Sequence, residues 1–124
     1  LLDYCHKNAN RPGIKAIILY PMNALATDQA RRLAEIIHNF QDEAGNYILR
    51  DRIRAGLFIG EGRQKGKERP TRMEENRVIE DRDTLVQSPP DILLTNFKML
   101  DFSLMQARFH KLWNYNYKDA SLLK

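Results

Sequence analysis

Asn23, Thr95, Asn96 and Lys98 stand where an apolar run gives way to a helical pattern. Such junctions leave backbone N–H groups without partners. The first four N–H groups of an α-helix have no intrahelical acceptor, and the helix dipole adds partial positive charge beside them. A helix start behind a buried strand therefore suits an anion such as phosphate. Asparagine also caps helices, its side-chain oxygen accepting one of the orphan N–H groups at a gain of about 1 kcal/mol. Asn23 is read as such a cap, with the nearby amides, Ala24 included, left for a ligand. One of Thr95 and Asn96 caps the second helix in the same way. Lys98 falls in the first turn of that helix, where a cation gains nothing from the dipole. That misfit points to a ligand role for Lys98.

The elements that position these residues follow from pattern. Ile14 to Tyr20 is apolar apart from Lys15 and rich in β-branched residues, and it is bounded by Gly13 and Pro21. A short continuous run of this kind fits a strand covered on both faces, as in a parallel sheet. Ala26, Ala30, Leu33, Ile37 and Phe40 follow at helical spacing, so 24–40 reads as an amphipathic helix. Ala55 to Ile59 reads as a second strand. Ile92 to Thr95 reads as a third, its start marked by Pro89, Pro90 and Asp91. From Phe97 to about Arg108 a further helix is expected, with Phe97, Leu100 and Leu104 on one face. Leu1 to Lys7 fits the end of a helix, and Tyr47 to Ile53 fits either a short helix or a strand. Met73 to Leu85, where acids and bases alternate, fits a solvated helix carrying Val78 and Leu85 inward. Arg31 and Arg32 are expected to face solvent or to pair with Glu35.

Composition narrows the class. The chain has 124 residues, 43% apolar and 29% charged, with a net charge of +4. That is enough for one modest core. No run approaches the roughly 20 apolar residues of a membrane span, and Leu1 to Asn10 does not have the form of a signal peptide. One cysteine, Cys5, excludes an intrachain disulfide and suits a reducing cytoplasm. Cys5 and His6 are adjacent, but no second ligand pair stands at zinc-like spacing, so no metal site is assigned. The mild positive charge fits a polyanion partner. Arg63, Lys65, Lys67, Arg69 and Arg72 crowd into ten residues. They read either as a loop touching nucleic-acid phosphates or as a solvated surface loop. Trp113, Tyr115 and Tyr117 could stack on bases or pack against a neighbouring lobe.

Three segments carry a resemblance to a known family. Tyr20-Pro21-Met22-Asn23-Ala24-Leu25-Ala26-Thr27-Asp28-Gln29 resembles motif Ia of superfamily 2 helicases of the DEAD/DEAH-box-like group. Pro90 to Asp101, with Ile92-Leu93-Leu94-Thr95-Asn96, resembles the strand and helix start of motif Ib. Between them Leu57-Phe58-Ile59-Gly60-Glu61-Gly62 is similar to the family's short strand and glycine turn. The three occur in family order across about residues 13 to 106, and their wording is typical of large bacterial members.

The resemblance implies an α/β fold, a partial RecA-like parallel sheet with flanking helices. It divides the chain into a motif Ia region at 14–40, a glycine turn at 55–62, a charged connection at 61–88 and a motif Ib region at 90–106. It implies nucleic-acid contacts at Asn23, Ala24, Gly60, Thr95, Asn96 and Lys98. Asn23 stands where DEAD-box relatives carry an arginine, which leaves phosphate contact there dependent on amides and weakens any implication of RNA specificity. The family's GxGKT-type phosphate loop is expected just upstream of Leu1 and its Asp-Glu-x-His motif just downstream of Lys124. Those motifs bind nucleotide and magnesium. ATP and Mg therefore belong to a parent enzyme, and residues 1–124 are expected to contain no catalytic residue, no cofactor site and no ATPase activity. The implied partners are single-stranded or duplex DNA, with RNA open, and the second RecA-like lobe of the parent. Relatives with this wording occur in restriction and phage-defence settings. A reading of a different class remains beside this one: a non-catalytic parallel α/β module binding a small anion or a protein. A third is a fragment that does not fold alone.

Overall fold

The computed structural model describes residues 2–21, 23–50, 52–59, 69–119 and 123. Helix α1 (Leu2–Lys7) leads through a turn to β1 (Ala16–Tyr20), and α2 (Asn23–Asn39) follows. Next come β2 (Ala55–Phe58), α3 (Arg82–Gln87), β3 (Ile92–Asn96) and α4 (Phe97–Met105). A 3-10 turn (Ala107–Phe109) then leads into α5 (His110–Lys118). The three strands form one sheet in the order β1-β3-β2. Both pairings are parallel, with Ile18 and Leu57 on either side of Leu94. The expected parallel α/β architecture is the one observed.

Alternation along the strands explains the two-layer core. Side chains of a strand point to opposite faces in turn. Ala16 and Ile18, Ala55 and Leu57, and Ile92 and Leu94 share one face with Ala26, Ala30, Ala34 and Ile37 of α2. Ile17, Phe58 and Leu93 lie on the other face with Leu85, Phe109, Leu112 and Trp113. With both faces covered, β2 and β3 tolerate apolar residues at nearly every position. Gly56 meets a steric demand. A Cβ there would lie 2.4 Å from Leu85 Cδ2 and 3.0 Å from Pro90 Cγ.

Several expectations are corrected. Met73 to Leu85 is not one helix. Val78 lies in no helix, and Ile79 bridges Gly56 in parallel, with the Leu57 N–H donating to the Ile79 carbonyl at 2.8 Å. The helix begins only at Arg82, where Asp81 caps it by accepting from the Thr84 N–H at 3.0 Å. Burying Val78 and Ile79 beside β2 outweighs the weak helical pairing of the charged residues around them. Tyr47 to Ile53 is neither helix nor strand among its described residues. Arg31 and Arg32 face solvent, as expected, and pair with Asp28 at 3.0 and 3.3 Å rather than with Glu35. Helix α4 turns Phe97 and Leu104 outward, while Ser103 is buried and Leu100 packs on the core. The reason lies in α5: Trp113 is buried against α4, and its Nε1–H donates to Ser103 Oγ at 3.2 Å. Trp113 thus packs within this chain rather than stacking on a base, and Phe40 at the end of α2 is exposed.

Candidate nucleic-acid interface

Parallel strands followed by helices bring the helix starts to one edge. Tyr20 pairs with Asn96 at the carboxyl ends of β1 and β3, so the starts of α2 and α4 are neighbours. Asn96 is the cap of α4. Its extended backbone (φ −117°, ψ 170°) lets its Oδ1 accept the Met99 N–H at 2.9 Å. Its Nδ2 then donates to Asn23 Oδ1 at 2.6 Å. One asparagine therefore caps its own helix and reaches across to the other. Asn23 serves differently from expectation: it is the first residue of α2, its side-chain oxygen is taken by Asn96, and its carbonyl accepts from Thr27 Oγ1 at 2.9 Å.

A cleft of about 520 Å³ opens at this junction, lined by Pro21, Asn23, Asn96, Phe97, Lys98 and Met99. Lys98 is the one charged residue in that lining. It is exposed and, among the described residues, in no ion pair. The cleft therefore carries a positive charge together with the amino-terminal turns of two helices, a setting in which an anion gains from both dipole and cation. Behind it, burial raises the Tyr20 hydroxyl above the usual phenol range, so that group stays neutral.

The other residues singled out from the sequence are placed differently. Thr95 is 0% exposed, and its hydroxyl donates to the Phe58 carbonyl, tying β3 to β2. Its side chain faces into the sheet and not into the cleft. Ala24 is exposed in the first turn of α2, lining a separate cleft with Thr27, Arg31, Leu57 and Arg77. Gly60 and the basic residues Arg63, Lys65 and Lys67 lie outside the described residues.

Two groups of functional interest escaped the sequence reading. Arg82 donates to the Ile59 carbonyl at 2.9 Å just past β2, with its guanidinium 5.4 Å above the Phe58 ring. Arg82 also lines a cleft with Arg69 and Lys111. It was hidden in an alternation of acids and bases. At the opposite edge, Lys15 and Asp91 form a buried ion pair at 2.5 Å. Asp91 Oδ2 accepts the Arg54 N–H at 2.9 Å, and Lys15 Nζ also donates to the Arg11 carbonyl. A lysine inside the run Ile14 to Tyr20, and an aspartate directly before Ile92, were the signals available. Cys5 is buried in the same layer. Desolvation first, and the Asp91 carboxylate second, push its thiol up to about 11.

Fold and edge define a parallel α/β unit with two linked helix starts at its carboxyl edge. The chain is similar to Druantia protein DruE of Escherichia coli (strain UMEA 4076-1), with 41% identity over 58 residues. That match covers 44% of this chain and 3% of the relative, so the chain spans a small part of that protein's length. No family model matches the sequence, and no solved structure matches it. Among the described residues no helix is long and apolar enough to cross a membrane, and no cluster of three metal-ligating side chains occurs.

Proposed function

We propose that this chain is the strand-gripping part of the first RecA-like lobe of a larger ATP-dependent DNA helicase or translocase. In this reading the cleft at Asn23, Asn96 and Lys98 holds the sugar–phosphate backbone of the tracked strand. The observation that carries the reading is the 2.6 Å contact between the Asn96 and Asn23 side chains. It joins the two segments that resemble motifs Ia and Ib at one edge, beside an unbalanced cation. Backbone contacts of this sort fix position without reading sequence. The likeness to a far longer protein supports a part of a large polypeptide, and the helicase-type motifs support a parent that uses ATP. ATP and Mg would be held outside these residues. Hydrolysis would alternate grip and release between this lobe and a second one.

The test uses the intact polypeptide. Lys98→Ala removes one cation from the grip, so the slope of log affinity for single-stranded DNA against log salt should fall by about one. DNA-stimulated ATPase should fall with it, while ATP affinity stays near the wild-type value. An identical affinity across the salt series would remove DNA from this edge and leave the anion- or protein-binding module as the better reading.

A further inference from the structure

Phe97 is an aromatic residue of the cleft that a phosphate grip does not use. It follows the cap Asn96 directly, precedes Lys98, and is 62% exposed while lining the cleft. Helical spacing puts it on one face with Leu100 and Leu104, yet the inward positions are taken by Leu100 and Ser103, which meet Phe102, Phe109 and Trp113 in the core. Among the described residues its ring is in no aromatic pair and lies under no cation. A large ring left in water is unfavourable for folding. At this place, however, it stands beside Lys98 and two helix starts.

We propose that Phe97 is a stacking platform for an unpaired nucleobase, so that the cleft receives a nucleotide's base as well as its phosphate. The inference rests on the proposed function and deepens it by naming the ligand's form: a single strand with its bases unpaired. The physical case is the coupling of cation and ring. Proteins that hold single strands without reading sequence pair a positive groove with aromatic faces, because every base offers a π-face and every phosphate a charge. Phe97 and Lys98 are adjacent in the first turn of α4, so one carries the ring and the other the charge into the same cleft. A duplex would keep its bases stacked inside and could engage Lys98 alone. The site therefore prefers single-stranded over duplex DNA through Phe97 and binds both through Lys98.

The experiment separates base from phosphate. The intact polypeptide is titrated with a single-stranded oligonucleotide and with an abasic oligonucleotide of equal phosphate number. Wild type should bind the base-bearing strand more tightly, by about fivefold to a hundredfold for one stacked base. Phe97→Ala should remove most of that ratio while leaving abasic affinity unchanged, and Phe97→Leu, which keeps apolar bulk but no π-face, should behave like Phe97→Ala. Phe97→Trp should retain the ratio, and its added fluorescence should respond to the base-bearing strand only. Because Phe97 is exposed, these variants should unfold at the wild-type temperature. Equal losses for both oligonucleotides in Phe97→Ala, or a ratio preserved in Phe97→Leu, would overturn the stacking role. If Lys98→Ala weakens both strands while Phe97→Ala changes nothing, the phosphate grip stands and the inference fails. If neither variant changes either affinity, the proposed function falls as well.

Discussion

At the amino edge of the sheet Lys15 and Asp91 are buried and direct their hydrogen bonds to the chain itself, whereas at the carboxyl edge Asn23, Asn96 and Lys98 lie around an open cleft. The same three strands bear both arrangements. At the amino edge a charge pair fastens the starts of the strands: Asp91 meets Lys15 before β1 through its side chain and Arg54 before β2 through its side chain and backbone. At the carboxyl edge an amide–amide contact links α2 and α4, and among the described residues the cation beside it pairs with no carboxylate. Polar residues that stabilise the fold are consumed by it. Those left unconsumed mark where something else can bind.

The largest expected effect breaks the closed edge. Lys15→Ala leaves the Asp91 carboxylate buried without its counter-ion and should cost about 3–5 kcal/mol of stability. Denaturant unfolding measures it. Lys15→Met with Asp91→Leu should recover much of that loss, because an apolar pair removes both desolvation penalties. Failure of the double variant to recover any stability would mean that the pair fixes the strand starts in a way that apolar contact cannot replace.

A smaller effect belongs to the neighbouring thiol. Its pKa is raised to about 11 from 9.0, so the folded state holds the proton more tightly than the unfolded state does. The stability from that difference is complete below pH 9 and is lost as pH rises toward 11. Cys5→Ala should flatten this part of the pH–stability curve, and native Cys5 should resist thiol reagents at pH 8 until the chain unfolds.

At the open edge the expected changes in stability are smaller still. Asn96→Ala deletes a helix cap and should cost about 1 kcal/mol. Lys98→Ala, exposed and unpaired among the described residues, should change stability by less than about 0.5 kcal/mol. The two edges differ in kind if Lys98→Ala is silent in unfolding yet lowers DNA affinity, and they do not if Lys98→Ala destabilises the chain as much as Lys15→Ala does.

The fold was legible where a local pattern and its burial agree. Ile17 to Tyr20 and Ile92 to Thr95 are short apolar runs flanked by breakers, the helix beginning near Asn23 is amphipathic over several turns, and the parallel arrangement follows from the crossovers between the strands. The site was legible in part. Asn96 at a helix start is readable as a cap, but its second bond, to Asn23, spans 73 residues, and no local pattern reports it. Helical spacing alone does not fix the orientation of α4, because Phe97 and Leu104 satisfy it as well as Leu100 does. The choice was made by Trp113 seeking a partner for its indole N–H on Ser103. Ile79 lies along β2 for a similar reason: its partners are backbone groups distant in sequence, its N–H donating to the Ala55 carbonyl at 3.0 Å and its carbonyl accepting from the Leu57 N–H at 2.8 Å.

The Asn96–Asn23 contact also has a mechanical consequence. Helices that follow separate strands of a sheet can tilt independently, because the strands joining them twist and flex. Here a load applied to the start of α4 reaches the start of α2 through one side-chain bond 2.6 Å long as well as through the Tyr20–Asn96 pairing of the sheet. The two helix starts act as the ends of a short strut. Strand pairing sets their spacing and the strut stiffens it at the surface, where a pull would arrive, so Asn23→Ala would leave both helices formed but loosen the gauge between them.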